Sequence, residues 1–399
     1  MQKIYIGRQP IYDDKLDVFA YELLYRPNNT LNEIGEADQN YATTQVVLNA
    51  FLDFGLEQLV GQKKAFINLP RGLIVGDIPL PFSKDRVVLE ILEDIEVDAT
   101  VTQAVRRLRS EGYEIALNDF IYHRDLAPLA EESKIIKIDL SILPHDGVRE
   151  HITTLRKHDV KLLAEKIETH EDFEFAKELG IDYFQGYFFC KPNTLSSHSL
   201  PANRLAILRL LSQLQDPNIE IKSLADMISQ DVAFSYKMLR GLNSAYYAMP
   251  KPIESIHHAI VFLGLQQIKQ WASLIALSDI PEKPDELLLV GITRAKMCEL
   301  LGERLEENKE SCFTVGLFSI LDALMDTTME EALANLPLAN NIKAALLNHE
   351  GEMGRILQCV LAYEECRWDD IDFPDYPADT LTEIYVTAID WADKITKGF

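Results

Sequence analysis

The chain has 399 residues, 47% of them hydrophobic and 26% charged, and a formal net charge of −24. This length exceeds one ordinary core and suits two domains, and the negative charge disfavours binding to nucleic acid phosphates. Because no apolar run reaches the roughly eighteen residues of a membrane span, and Met1–Tyr5 has the pattern of a strand rather than a signal peptide, the sequence predicts a cytoplasmic protein without a membrane partner.

In the first half, short apolar runs typical of strands alternate with helical periodicity, and a polar residue closes or follows each run. In chain order, these polar residues are Glu22, Asn68, Glu90, Asn118 and Asp119, Lys137 and Asp139, Glu165, and Gln185. Acids and amides gathered at the carboxyl ends of strands are how a (β/α) barrel builds a site. The first half is therefore predicted to be a barrel with a polar site at one end.

The segment 191–201, rich in proline, serine and asparagine, breaks both periodicities. We place the domain boundary there, with residues 1–198 forming the barrel and residues 199–399 the second domain. Beyond it, apolar residues recur at spacings of three and four, so the second domain is predicted to be all-α. The predicted helices cover 202–214, 223–231, 235–242, 256–280, 285–305 and 381–394.

The five cysteines are widely spaced, odd in number and lack a paired Cys-x-x-Cys arrangement. This distribution is typical of reduced, mostly buried thiols rather than of zinc ligands or disulfides.

Eight segments of the first half, in order, resemble the EAL family of cyclic diguanylate (cyclic-di-GMP) phosphodiesterases. They are QPI at 9–11, YELLYR at 21–26, FINL at 66–69, LEILE at 89–93, ALNDF at 116–120, KID at 137–139, AEKIET at 164–169 and QGY at 185–187. Each match is weak alone, whereas the ordered set is specific. The resemblance implies a TIM-like (β/α) barrel of EAL type. It is shortened between Asn68 and Glu90 and between Asp139 and Glu165, where we expect one or two outer helices to be missing.

The resemblance also implies roles for individual residues. In such barrels two divalent cations, Mg²⁺ or Mn²⁺, polarise the phosphodiester and activate a water. The implied metal ligands are Glu22, Asn68, Glu90, Asn118 and Asp119. The implied catalytic residues are Lys137, which stabilises the water or developing charge, and Glu165, the base. The implied residues that hold cyclic-di-GMP are Gln9, Arg26 and Gln185.

Three features depart from the family pattern. Asn118 stands where the family has an aspartate, and a neutral amide oxygen bridges two cations poorly. Residues 120–125 lack the family's small glycine-rich loop, and Lys166 replaces a glycine beside the implied base. We therefore expect inefficient catalysis and weak or absent metal binding in the barrel, and we favour an exposed Lys166 over one whose ammonium fills a metal position.

The second half resembles the HDOD domains, relatives of metal-dependent HD phosphohydrolases, through LNSA at 242–245 and IESIHHAIVFLG at 253–264. Where the hydrolases carry an adjacent histidine and aspartate, this chain has Ser319 and Ile320, which cannot supply that ligation. We expect no metal and no hydrolysis in this half, and a solvated or capping role for His257 and His258. Part of this half is predicted to serve an interface, with the barrel, with another protein or through self-association, and the candidate residues are Tyr246, Tyr247 and Trp271.

Both resemblances together indicate an EAL–HDOD two-domain signalling protein. Three functions remain open. We favour a regulatory or binding scaffold with degenerate catalysis. The alternatives are an active, metal-dependent cyclic-di-GMP phosphodiesterase and a receptor that binds the dinucleotide without cleaving it.

Overall fold

The structure is a computed structural model of the chain. It describes residues 4–27, 55–76, 80, 82–92, 95–118, 127–140, 145–191, 202–242, 253, 255–278, 280, 283–334, 336–371, 373 and 376–396, and for a few of these, such as Arg26, the backbone alone. The chain divides into two compact units. The first comprises Met1–Phe188 and Tyr376–Thr382, and the second comprises Phe189–Asp375 and Glu383–Phe399. The predicted boundary after residue 198 lies outside the described residues and stays a prediction.

The first unit contains a closed barrel whose eight strands follow one another in sequence order. The strands are β1 (Ile4–Tyr12), β2 (Val18–Pro27), β3 (Lys64–Leu69), β4 (Val87–Ile91), β5 (Glu114–Leu117), β6 (Ile135–Asp139), β7 (Lys161–Glu165) and β8 (Tyr183–Phe184). Strand β1 is antiparallel to β2 and to β8, and the remaining neighbours are parallel. The carboxyl ends of β2 to β8 therefore meet at one end of the barrel, as the sequence predicts.

Helices follow the strands on the outside of the barrel. They are α1 (Leu56–Val60), α2 (Arg71–Val75), α3 (Ala99–Ser110), α4 (Ala127–Glu132), α5 (His145–Leu155) and α6 (His170–Glu178). Helix α3 begins where the Asp98 carboxylate accepts a hydrogen bond from the Val101 backbone N–H, and α6 begins with a capping box between Thr169 and Asp172. The expectation that outer helices are missing is wrong, because α2 and α5 occupy the two short connections. In the first of these connections the helix itself is short, since α2 has only five residues, whereas α5 in the second has eleven.

The second unit, where it is described, consists of helices and turns, which confirms the all-α prediction. Its helices are α7 (Ala202–Gln215), α8 (Ile221–Gln230), α9 (Val232–Leu242), α10 (Ile256–Leu263), α11 (Leu265–Ser278), α12 (Asp285–Arg304), α13 (Lys309–Phe318), α14 (Leu321–Met325), α15 (Met329–Ala334), α16 (Asn340–Asn348), α17 (Gly351–Glu364) and α18 (Ala378–Thr396), the last from Glu383 onward. The single helix predicted over 256–280 is two helices, because Gly264 adopts φ +87° and ends α10. None of the described helices has the length and apolar content needed to cross a membrane.

Helices α12 and α13 pack with their backbones close together. Gly316 of α13 makes this possible, since a Cβ at that position would lie 2.6 Å from the Cα of Ala295 on α12. A glycine is therefore required by the packing rather than by the backbone conformation.

Candidate active site at the carboxyl end of the barrel

The barrel interior has an apolar layer with a polar layer directly above it. The apolar layer contains Ile11, Ala20, Phe66, Val88, Ala116, Ile135 and Leu163, with Tyr183 packed against it. Side chains two positions apart on a strand share a face. The residues two positions further toward the carboxyl ends of β2 to β8, or two positions earlier on antiparallel β1, are Gln9, Glu22, Asn68, Glu90, Asn118, Lys137, Glu165 and Gln185. The predicted site is therefore the next interior layer of the barrel.

Lys137 of β6 lies at the centre of the polar layer. Its side chain is fully buried, and its Nζ lies 2.7 Å from Glu90 Oε1, 2.7 Å from Glu165 Oε1 and 2.9 Å from Glu22 Oε2. One buried ammonium thus holds three carboxylates that come from three different strands. A cluster of this kind is stable only while the opposite charges stay together, because burial of an unpaired charge is costly.

A chain of amide hydrogen bonds extends the cluster from Glu22 toward β1. Gln185 Nε2 donates to Glu22 Oε2 over 2.8 Å and lies 3.2 Å from Gln9 Oε1, and Gln9 Nε2 donates to the Tyr187 hydroxyl over 2.9 Å. Gly186 permits this arrangement, because a Cβ there would lie 2.1 Å from the Ile167 carbonyl oxygen. Tyr187 was not predicted as a site residue, although it stands within the QGY segment.

Asn68 and Glu90 are neighbours in register on β3 and β4 and supply oxygen atoms that lack a protein partner. The Asn68 amide nitrogen lies 3.4 Å from Glu22 Oε1, while Asn68 Oδ1 and Glu90 Oε2 are buried and accept no hydrogen bond from the described residues. The Tyr25 hydroxyl, which sequence reasoning missed, donates to the Asn68 backbone carbonyl over 2.9 Å. Burial, and then the charge of Glu90, raise the pKa of this phenol.

The structure describes the remaining predicted residues of the site, Asn118, Asp119 and Arg26, only in part. Asn118 follows β5, and its backbone N–H donates to the Ile91 carbonyl over 3.0 Å, which fixes it beside the end of β4. Asp119 lies outside the described residues, as does the side chain of Arg26, whose backbone belongs to β2.

The charges in the polar layer shift one another's protonation. Burial would lower the pKa of Lys137, but Glu22, Glu90 and Glu165 raise it well above its ordinary value. Burial would raise the pKa of Glu22, yet the Lys137 ammonium keeps that pKa below its ordinary value. For Glu90, burial and the neighbouring Glu22 carboxylate raise the pKa well above its ordinary value despite Lys137. Glu90 is therefore the carboxylate most in need of further positive charge.

The donor set of this layer fits a hard divalent cation. Carboxylate and amide oxygens are the ligands that Mg²⁺ and Mn²⁺ prefer, and the two residues that carry unpartnered oxygens, Asn68 and Glu90, are in register on neighbouring strands. Within the described ranges, no three histidine, cysteine, aspartate or glutamate side chains form a complete metal-binding group. The implied ligand Asp119 falls outside those ranges.

Lys166 does not reach into the polar layer. Its side chain is 58% exposed, and its Nζ lies 2.5 Å from Oδ2 of the buried Asp139. Its backbone adopts φ +55°, the left-handed conformation that a glycine would adopt without strain. The lysine at this glycine position is therefore an exposed cation bound to a buried carboxylate, and sequence reasoning did not identify Asp139 as its partner.

In the helical unit, the position of the HD pair is filled by other interactions. Arg294 of α12 donates from Nη1 to the Ser319 hydroxyl over 2.9 Å and from Nε to Glu364 Oε2 over 2.8 Å. Ile320 is buried, and its Cδ1 would lie 2.3 Å from a Cβ added at Gly291. A guanidinium and an aliphatic side chain thus stand where the resemblance to the hydrolases implies a metal-binding pair, and the predicted absence of metal here stays a prediction.

The structure describes some, but not all, of the other residues for which the sequence predicts a role in the second half. His257 and His258 are exposed, as expected, on a helix capped by the Ser255 hydroxyl. Trp271 is only 1% exposed, and its predicted place at an interface stays a prediction. Tyr246 and Tyr247 lie outside the described residues.

None of the five cysteines forms a disulfide, and Cys298, Cys312 and Cys359 are buried, which confirms the prediction of reduced, mostly buried thiols.

Comparisons with known proteins agree with this architecture. The EAL domain family matches residues 77–192, and the HDOD domain family matches residues 200–363. The uncharacterized protein YuxH of Bacillus subtilis is 32% identical over 405 residues, covering 98% of this chain and 99% of YuxH. The cyclic di-GMP phosphodiesterase CdgJ of Vibrio cholerae is 31% identical over 379 residues, covering 93% of this chain and 87% of CdgJ. Among solved structures, the calcium and cyclic-di-GMP complex of Klebsiella pneumoniae BlrP1 is 21% identical, with a TM-score of 0.40, and covers 47% of this chain and 55% of BlrP1.

Proposed function

Since the chain belongs to the family of two-domain proteins that join an EAL domain to an HDOD domain, we propose that it is a regulatory protein whose barrel binds cyclic-di-GMP and hydrolyses it slowly or not at all. The observation that carries the proposal is the polar layer itself. A buried lysine there organises three glutamates, and Asn68 Oδ1 and Glu90 Oε2 have no hydrogen-bond partner among the described residues.

In this proposal each described residue of the layer has a definite task. Glu22, Asn68 and Glu90 hold a Mg²⁺ or Mn²⁺ ion, which when bound polarises a phosphate oxygen. Lys137 keeps Glu22 ionised and orients Glu165 through its 2.7 Å contact. Glu165 is the group in the layer suited to take a proton from an attacking water.

Binding of the dinucleotide would use the amide and cationic side chains at the edge of the layer. Gln9 and Gln185 already bond each other, so their remaining donors and acceptors are held in fixed directions. Arg26 follows Glu22 on the same strand and carries a planar guanidinium suited to a phosphate oxygen.

Slow turnover would follow from Asn118. An amide at this place removes one negative charge from the ligands of the two cations and offers a single neutral oxygen. The second cation is then held weakly, while the contacts that recognise the nucleotide remain. The barrel would therefore still bind cyclic-di-GMP while its hydrolysis is slow.

The test is calorimetric titration of cyclic-di-GMP into the full chain, with and without Mn²⁺, followed by chromatography of the products. We expect saturable binding and little or no linear product. Arg26→Ala should weaken binding by about 1.5–3 kcal/mol, the range for a hydrogen bond to a charged group. Arg106→Ala is the matched control, since Arg106 is an exposed arginine of α3 that pairs with Glu132. Absence of binding by a folded protein would exclude a nucleotide site.

A metal-dependent phosphodiesterase is the second candidate. It is favoured by the direct contact between Lys137 and Glu165 and by the common layer, which holds every family-implied residue whose side chain the structure describes. Robust cleavage by the wild type that is lost in Glu22→Ala would establish this candidate and refute slow turnover.

The regulatory output would pass through the helical unit. On α10, Val261 and Phe262 are 69% and 59% exposed, which is unusual for large apolar side chains. We expect this pair to contact a second copy of the chain. Sedimentation of Phe262→Ser should then show less dimer than the wild type, and a monomeric wild type at all concentrations would contradict self-association.

A further inference from the structure

The helical unit contains a cavity of about 490 Å³ between α11, α13 and the segment that leads into α16. This volume lies within the roughly 300–1,000 Å³ of small-molecule sites. Neither Ser319 nor Ile320 lines the cavity, so it is distinct from the position of the HD pair. It also lies wholly within the second unit and is independent of the function proposed for the barrel.

One wall of the cavity is a buried polar strip on α11. Every residue of this helix from Ile268 to Leu277 is buried, and the strip consists of Lys269, Gln270 and Ser273, which are 5%, 6% and 2% exposed. All three line the cavity. Polar side chains inside a fully buried helix destabilise the fold unless each finds a partner.

The strip is only partly satisfied by protein groups. Lys269 Nζ donates to the Asp216 backbone carbonyl over 2.7 Å, and the Ser273 hydroxyl accepts from Gln215 Nε2 over 3.3 Å. Gln270 Nε2 is buried and has no hydrogen-bond partner among the described residues. The Lys269 ammonium has two further protons to donate. The wall therefore contains a buried amide donor without a partner among the described residues, and the preceding residue in the helix is a lysine.

The other residues that line the cavity indicate which ligand groups the cavity favours. Helix α13 begins at Lys309 beside the cavity, with Asn308 as its N-cap, and the amino end of a helix favours negative charge. Glu310 is the single acidic side chain in the lining. The lining contributed by α13 is mixed, with the apolar Phe313 and Leu317 beside the hydroxyl groups of Ser311 and Thr314.

We propose that this cavity binds a small organic anion, with a phosphate or carboxylate group on an apolar body. The anionic group would accept hydrogen bonds from Gln270 Nε2 and Lys269 Nζ. The apolar body would lie against Phe313 and Leu317. The ligand would thereby satisfy a donor that the protein alone leaves unsatisfied.

The test uses the full chain and four probes in calorimetric titration and thermal unfolding. Phenyl phosphate and benzoate carry the two anionic groups on an apolar ring, benzyl alcohol carries the ring without charge, and inorganic phosphate carries the charge without the ring. We expect saturable binding of phenyl phosphate or benzoate, and the stronger of the two identifies the anionic group. Benzyl alcohol and inorganic phosphate should each bind more weakly. Absence of saturable binding by both anionic aromatic probes at millimolar concentration would overturn the proposal.

Two variants test whether the probe binds in the cavity. Gln270→Met and Lys269→Met should each weaken binding by at least about tenfold, since each removes a hydrogen bond to a charged group. Gln267→Met is the matched control, because Gln267 belongs to the same helix and does not line the cavity. Without a probe, Gln270→Met should raise the Tm, because it removes a buried amide donor that has no partner. Equal probe binding by Gln270→Met and the wild type would place the probe elsewhere and refute the site.

Discussion

Replacement of Lys137 by methionine should destabilise the barrel more than any other single change in its polar layer. Methionine retains an unbranched side chain of similar volume, so the change removes the charge and little of the packing. Glu22, Glu90 and Glu165 would lose an ammonium that lies 2.7 to 2.9 Å from each of them. Three buried or nearly buried carboxylates would then face one another without a counter-charge.

The expected loss in the free energy of unfolding is about 3–5 kcal/mol at neutral pH, the cost of removing one partner from a buried ion pair. The loss stays in this range despite three contacts, because the orphaned glutamates can take up protons instead of remaining charged. Without Lys137 their pKa values in the folded state rise above those of the unfolded chain. Stability of the variant should therefore increase as the pH falls through those raised values, and its deficit relative to the wild type should shrink in acid.

The assay is urea unfolding followed by two signals. All three tryptophans, Trp271, Trp368 and Trp391, belong to the helical unit, so their fluorescence reports that unit alone. Far-ultraviolet circular dichroism reports both units, and the component absent from the fluorescence belongs to the barrel. Lys161→Met is the matched control, because Lys161 of β7 is 52% exposed and its ion pair with the partly exposed Asp182 should contribute less than about 1 kcal/mol.

Two results would refute this reasoning. The first is a loss below about 1 kcal/mol at neutral pH, no larger than that of the exposed control lysine. The second is a deficit of the Lys137→Met variant that grows as the pH falls, since the glutamates would then not be the source of the instability.

Three further changes test other parts of the molecule. Asn118→Asp should tighten Mn²⁺ binding in calorimetry by restoring one negative charge, without fully restoring hydrolysis; unchanged Mn²⁺ affinity would contradict its place among the ligands. Burial raises the pKa of Asp322, so its carboxylate favours folding below the ordinary aspartate pKa of about 3.9 and loses that contribution as the pH rises through the raised value. Asp322→Asn should therefore raise the Tm at neutral pH and leave it unchanged in acid. Gly316→Ala should reduce the free energy of unfolding by about 1–3 kcal/mol, the range for overpacking, because its Cβ would meet Ala295 at 2.6 Å; an unchanged tryptophan transition would contradict the close packing of α12 on α13.

The position of the candidate site was predictable because side chains two positions apart on a strand point to the same face. Ala116 and Asn118 illustrate the rule: an apolar residue in the barrel core predicts that the residue two positions later points into the same interior. The polar residue that ends or follows each apolar run thus predicted Asn68, Glu90 and Lys137 to lie at one end of the barrel without any knowledge of the register between strands.

The partners within that layer were not predictable in the same way. Which glutamates Lys137 contacts depends on the barrel's stagger, which the sequence of one strand does not encode. The Lys166 contact with Asp139 depends likewise on the left-handed backbone at 166. The burial of Trp271 was not predictable for another reason: every residue of α11 from Ile268 to Leu277 is buried, so this stretch has no exposed polar face from which periodicity could show which side chains lie inside.

The reversed direction of β1 has a practical consequence for every binding experiment on this protein. Because Ile4 pairs with Pro27 at the far end of β2, β1 starts beside the carboxyl ends of the other strands and runs away from them. An affinity tag or reporter fused ahead of β1 would therefore emerge on the ligand-entry side, five positions before Gln9. A polyhistidine tag there would supply imidazoles to the same Mn²⁺ that the titrations are meant to follow. Measurements of metal or nucleotide affinity call for a tag that has been cleaved from that terminus.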